Sequence, residues 1–262
     1  GFGGGFESFD LLHGPPANPS DVGDHIWANP DMTALVHVAA ANKVTDAALA
    51  WIRRHHDEAY FLYLHYFDPH AGYYPPPDYA RKLGVDPTSP LAGRPQRTVM
   101  FAGRPPTDPA TLATLIGLYD GEIAFTDAEI GRLLAEVAPL ITRPTIVVVT
   151  ADHGEEFGEH GGLQHGKTLF EEQIRVPLVI ARLGGDAAAA EVIETPFSLC
   201  DLWPLLAGMT GVPTRPGSAP LALADLAGTP ATSPVFADLA TVGRLHRWAT
   251  VAEHQKLIVT RD

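Results

Sequence analysis

Thr145 to Arg175 reads TIVVVTADHGEEFGEHGGLQHGKTLFEEQIR. The run Thr145–Thr150 is β-branched throughout and bounded by a turn signal, the pattern of a buried strand. Asp152 and His153 follow where the strand ends and Gly154 lets the chain turn. A carboxylate beside an imidazole offers one hard and one borderline metal donor. His160, His165 and Lys167 come within the next fifteen residues. Open α/β sheets bind ligands outside the carboxyl ends of their strands, which is where this group falls.

Outward from that strand, the pattern alternates between helix and strand. Residues 1–43 are rich in Gly, Pro, Asn and Asp and read as irregular. A helix is expected from Val44-Thr45-Asp46, with Thr45 or Asp46 as N-cap and Leu49, Trp51 and Ile52 on its apolar face. Tyr60–Tyr66 reads as a strand ended by Asp68-Pro69-His70, and a Pro-rich excursion follows to Pro109. From Ala110 to Ala138 the apolar spacing of Leu112, Ile116, Tyr119, Ile123, Ile130, Leu134 and Val137 predicts one long helix. Pro177–Ala181 reads as a strand, and Pro196–Met209 as a helix that Pro204 should kink or restart. Pro213–Pro234 is loop-rich. Pro234–Leu239, Trp248–Ala252 and Lys256–Thr260 read as closely spaced strands of an antiparallel tail sheet. The fold class expected is α/β: a mixed, mostly parallel sheet flanked by helices, with the start of a small antiparallel C-terminal subdomain. The expected division is a core over residues 1–212 and a partial subdomain over 213–262.

Composition narrows the function classes. The 262 residues are 45% hydrophobic and 19% charged, ordinary values for a globular chain with a sizeable core. The formal charge is −13, which argues against a nucleic-acid partner. An anionic substrate would therefore need a local cationic pocket. The single cysteine, Cys200, excludes an internal disulfide and leaves the compartment open. There is no apolar run of 18 residues, hence no transmembrane helix in this segment. GFGGG at the start is no dinucleotide fingerprint, having no strand before it.

TADHGEEFGEHG (150–161) followed by HGKTLFEEQIRVPLVI (165–180) resembles the sulfatase branch of the alkaline phosphatase superfamily. GFESFD (5–10), FLYLHYFDPHAGYYPP (61–76), YDGEIAFTDAEIGRLL (119–134) and SLCDLWPLLAGMTGVP (198–213) agree, in the family's order. The resemblance implies an alkaline phosphatase/sulfatase-like fold and a metal-dependent hydrolase of sulfate esters. One divalent ion would sit on Asp152 and His153. Calcium is the family's usual ion; many relatives carry Asn at the second position, and His153 brings manganese, magnesium and zinc into play. His70 is similar to the histidine that contacts the sulfate ester and helps protonate the leaving group. His165 or Lys167 would neutralise the sulfate oxygens, with His165 preferred as the direct contact. Glu155, Glu156 and Glu159 are expected to face water, and His160 to order the loop or support the ligands.

The family's formylglycine nucleophile arises from a Cys (or Ser)-x-Pro-x-Arg motif, absent from this sequence. Two N-terminal metal-binding aspartates of the family are absent as well. The expectation is therefore a fragment holding the second half of a site. Phosphodiesterase or phosphonate monoester hydrolase chemistry stays open as the alternative within the superfamily, and an inactive fragment or pseudoenzyme as the alternative outside it. The implied partner is a small-molecule or carbohydrate sulfate ester. The family favours a periplasmic or extracellular location, and oligomeric state is undetermined.

Overall fold

The structure is a computed structural model that describes residues 24–28, 35–70, 72–93, 104–185, 190–214, 217–228, 234–241, 245–252 and 255–261. The GFESFD segment lies outside them. The chain forms two compact units. The first comprises Gly1–Val149, Phe157–Gln164 and Val179–Gly185; the second comprises Thr150–Glu156, His165–Leu178 and Asp186–Asp262.

In the first unit, β1 (Asp24–Ala28) and β2 (Leu35–Ala39) pair antiparallel within the stretch read as irregular. Helix α1 (Ala41–His55) starts four residues before the expected cap. Ala40 is its N-cap and offers no side-chain hydrogen bond. Thr45 is instead fully buried, with its Oγ1 3.0 Å from the Tyr66 hydroxyl. A Thr-Asp pair signals a cap only when no tertiary partner claims the threonine. Here burial of Ala40 and Ala41 against Phe125 sets the start of the helix.

Helix α2 (Pro77–Lys82) and the long α3 (Pro109–Val137) complete the helical layer. Asp108 caps α3, its carboxylate accepting the Ala110 and Thr111 amide hydrogens at 3.3 and 3.1 Å. The buried stripe of α3 runs through Leu115, Leu118, Phe125, Leu133 and Val137, while Ile123 is exposed. It is rotated from the stripe that apolar spacing predicts because glycines share the buried face. A Cβ on Gly117 would lie 2.3 Å from the Val85 side chain, and one on Gly121 2.9 Å from Pro75. Hydrophobic periodicity does not register a glycine that permits close approach. Ala48, Leu49 and Ile52 of α1 pack on Leu133 and Val137. Each large side chain buried this way contributes about 1.5–3 kcal/mol.

Residues 60–66 are not part of a hydrogen-bonded strand. Their burial nevertheless alternates. Leu62 and Leu64 pack on the α1–α3 core, whereas Phe61 and Tyr63 are each 63% exposed. Alternation in sequence reports which side chains turn inward, and a ladder further requires a neighbouring strand. β3 (Thr145–Thr150) does form, and pairs with β6 (Leu178–Leu183). Between them in sequence, two-residue strands β4 (Glu156–Phe157) and β5 (Leu163–Gln164) pair with each other.

The second unit holds the one-turn helix α4 (Glu171–Ile174) and, after a 3-10 turn at Leu199–Asp201, helix α5 (Leu202–Thr210). Pro204 occupies the first turn of α5, where a missing N–H leaves no bond unmade, so the helix starts here and is not kinked. A short helix, α6 (Leu223–Gly228), interrupts the connection read as loop. The tail sheet is as expected: β7 (Val235–Thr241), β8 (Leu245–Ala252) and β9 (Gln255–Arg261) run antiparallel in that order. Among the described residues, the registers resolved residue by residue are antiparallel. No described helix is long and apolar enough to cross a membrane.

Candidate functional site

Asp152, His153, His165 and Lys167 all belong to the second unit. Asp152 follows β3 and is exposed. Its Oδ1 accepts the His153 amide hydrogen at 3.0 Å, and its Oδ2 lies 3.7 Å from His153 Nε2. His153 Nδ1 is 2.8 Å from the Gly154 carbonyl oxygen. A carbonyl only accepts, so Nδ1 carries the hydrogen and the lone pair falls on Nε2, the nitrogen turned to Asp152.

The His153 ring stacks on His165, with centroids 3.8 Å apart and an interplanar angle of 27°. His165 Nδ1 in turn lies 3.0 Å from Glu155 Oε1. Glu155 and Glu156 are both buried, against the expectation that they face water. Glu159 is exposed, and its carboxylate accepts the Phe157 amide hydrogen at 2.6 Å. His160 is exposed.

The two loops are joined through Gln173, which is 2% exposed. Its Nε2 donates to Glu156 Oε2 at 2.8 Å. Its Oε1 accepts from the amides of Lys167 and Thr168, each at 3.3 Å. Its own carbonyl accepts from the Gly154 amide at 2.9 Å. A Cβ on Gly154 would sit 2.2 Å from the Glu172 carbonyl oxygen, so glycine is required for this approach. Gly166, at φ +73°, supplies the left-handed residue between His165 and Lys167. The tail sheet grips the same segment. Arg247 of β8 donates to the Lys167 carbonyl, and Lys256 Nζ of β9 lies 2.7 Å from Glu171 Oε1.

Glu155, Glu156, Gln173, Arg247 and Lys256 brace this segment, and sequence reading missed them. Glu155 and His165 are ten residues apart across a hairpin, a spacing with no local periodicity to reveal it.

His70 belongs to the first unit. Its amide donates to the Phe67 carbonyl at 3.0 Å and its ring stacks on Phe67, centroids 4.7 Å apart. The loop after it is held by Glu122 of α3, whose Oε1 accepts the Tyr74 amide hydrogen at 2.7 Å. Asp68, at the head of the loop, is fully buried.

An ion about 2.0–2.2 Å from each donor asks its neighbouring ligand atoms to be about 3–3.5 Å apart. Asp152 Oδ2 and His153 Nε2 come close to this at 3.7 Å, and the exposed Asp152 side chain has room to adjust. They fit as part of a coordination sphere. Among the described residues no group of three or more His, Cys, Asp or Glu side chains is arranged to hold a metal.

Comparison with known proteins identifies the family. The family description Sulfatase matches residues 4–212. An uncharacterized sulfatase, YidJ, of Escherichia coli strain K12 is 25% identical over 66% of this chain and 36% of its own length. The steryl-sulfatase of Rattus norvegicus is 27% identical over 80% of this chain and 32% of its own. The chain thus spans about a third of the length of these relatives. Among solved structures, a candidate sulfatase, yidJ, of Bacteroides fragilis superposes with a TM-score of 0.63 at 19% identity, covering 92% of this chain and 56% of its own. A protein in complex with its substrate D-glucosamine-2-N,6-O-disulfate gives 0.63 at 17% identity, covering 86% and 61%. These likenesses show a sulfatase-like fold. With a family match over most of the sequence, the chain belongs to the sulfatase family.

Proposed function

We propose that the protein carrying this chain is a metal-dependent hydrolase of sulfate esters, with a carbohydrate or other small-molecule sulfate as substrate. The observation that carries the reading is the donor pair Asp152 Oδ2 and His153 Nε2 at the end of β3, with the imidazole fixed by Gly154. Asp152 and His153 would hold one divalent ion. When bound, it would polarise the sulfate group and help orient the nucleophile. Calcium is the ion the family resemblance favours, and the imidazole makes manganese, magnesium and zinc compatible.

The chain's own groups do the rest. His165, braced by Glu155, meets the sulfate oxygens, with Lys167 as a second cation on the same loop. His70 donates a proton to the leaving oxygen. The nucleophile is a formylglycine that residues 1–262 do not supply: Cys200, the one cysteine, is exposed and lacks the Pro-x-Arg that would follow it. In the complete fold, β3 and β6 belong to a mostly parallel sheet. Residues 1–212 form the core and 213–262 part of a C-terminal subdomain. The family resemblance supports a periplasmic or extracellular setting.

The test assays the protein as the cell makes it, after chelation and after addition of Ca²⁺ or Mn²⁺, on 4-nitrophenyl sulfate and 4-nitrophenyl phosphate. Metal-restored hydrolysis favouring the sulfate is expected. A preference for the phosphate, or full activity in excess chelator, would overturn the reading.

A further inference from the structure

We infer that Glu155 is a positioning residue for His165, fixing which imidazole nitrogen His165 presents to a bound sulfate; this deepens the proposed function and rests on it. The Glu155 side chain is 4% exposed and its Oε1 lies 3.0 Å from His165 Nδ1. A carboxylate only accepts, so Nδ1 is the donor and Nε2 is left to face the anion. Sulfate oxygens also only accept, so the ring that meets sulfate carries a hydrogen on both nitrogens, and the neutral ring keeps the one on Nδ1. A free histidine side chain in water prefers the opposite tautomer, so the one imposed here is diagnostic.

One hydrogen bond fixes an edge of the ring but leaves its plane able to turn. The stack on His153 fixes the plane. His153 is held through its own Nδ1 in the same way, by the Gly154 carbonyl. The residues on either side of Glu155 are themselves anchored. The Gly154 amide is bonded to the Gln173 carbonyl, and Glu156 to the Gln173 side chain. Glu155 therefore has little freedom to leave its partner. A glutamate needed only for loop stability would be indifferent to the tautomer of His165, which gives the two roles different signatures.

The experiment is long-range proton–nitrogen NMR of the imidazoles in the ¹⁵N-labelled chain, at a pH where they are neutral, with His165 assigned by its loss in His165→Asn. The wild type should show His165 protonated on Nδ1. Glu155→Gln should preserve that tautomer, since its amide oxygen still accepts. Glu155→Ala should release it toward the Nε2–H form. Inorganic sulfate, titrated with Mn²⁺ present at a pH where the imidazole is protonated and its Nε2–H can donate, should bind about 10–100-fold more weakly to Glu155→Ala, as when a supporting partner of a site ligand is removed. Glu155→Gln should stay within about threefold of wild type, well short of that loss. An Nε2–H tautomer in the wild type overturns the inference without any variant, so misfolding of Glu155→Ala does not shelter it. An unchanged tautomer in folded Glu155→Ala also overturns it. The expected tautomers with no sulfate binding by the wild type would uphold the positioning role and sink the sulfate reading.

Discussion

His153 and His165 lie ring to ring, their centroids 3.8 Å apart, although twelve residues and a two-stranded hairpin separate them in the chain. The stack joins the loop that leaves β3 to the loop that follows β5. Side chains in contact within one polar network couple by about 0.5–3 kcal/mol. His153→Ala and His165→Ala should each lower stability, and the double variant should lose less than the sum. Urea denaturation of the four proteins measures the coupling. Strict additivity would mean that the rings only happen to be near each other.

Gln173 is the second junction of these loops, bonded to Glu156 and to the amides of Lys167, Thr168 and Gly154. Gln173→Leu keeps the volume and removes the donor and the side-chain acceptor. Glu156, 1% exposed, would lose this partner, and two amides would lose theirs. Each buried polar group deprived of a partner costs about 1–3 kcal/mol, and more when charged. Gln173→Leu should therefore be among the most damaging single changes in the second unit, whereas Gln173→Glu should fail for another reason, by setting two carboxylates together. Thermal unfolding that leaves Gln173→Leu level with wild type would show that Gln173 does not bind the loops together.

Local pattern and length carry much of this architecture. They are enough for the β3 strand, the long α3 and the three-stranded tail, which stand close to their expected limits. Features that depend on tertiary partners are not legible in the same way. Thr45 looks like a cap and is a buried hydroxyl bonded to Tyr66. Residues 60–66 look like a strand and have its alternation without its ladder. Asp152 and His153 are legible as a carboxylate and an imidazole side by side at a strand end. Glu155 is not, because a glutamate's preference for water is the better guess until a histidine ten residues on is folded against it.

Asp108 gives a prediction in pH. Its carboxyl is held below the ordinary 3.8, first by the Thr111 hydroxyl and then by the Ala110 and Thr111 amides. A depressed folded value means that ionised Asp108 favours the folded state. The contribution is complete above the ordinary value near 3.8 and is lost as pH falls through the lower, folded value. Asp108→Ala should consequently be less stable than wild type at neutral pH. The gap between their melting temperatures should close as the pH drops below about 4. A gap that persists unchanged in acid would assign the effect to something other than the α3 cap.

Asp152 and His70 should fail differently. Asp152→Ala removes a carboxylate donor whose charge the neighbouring imidazole cannot replace. It should abolish turnover by costing metal affinity, measured directly as Mn²⁺ or Ca²⁺ binding. His70→Ala should leave metal affinity near wild type and slow turnover by about 10²–10⁴-fold, the usual contribution of a general acid. That loss should depend on the leaving group. An ester of an acidic phenol departs with little protonation, whereas a sugar alkoxide needs it. The His70→Ala defect should thus be small on 4-nitrophenyl sulfate and large on an alkyl or carbohydrate sulfate. For Asp152→Ala the defect should be equally severe on both. Equal losses on the two esters for His70→Ala would rule out proton donation and leave His70 a binding contact to the sulfate. Loss of metal from His70→Ala would reassign it to the support of the ion.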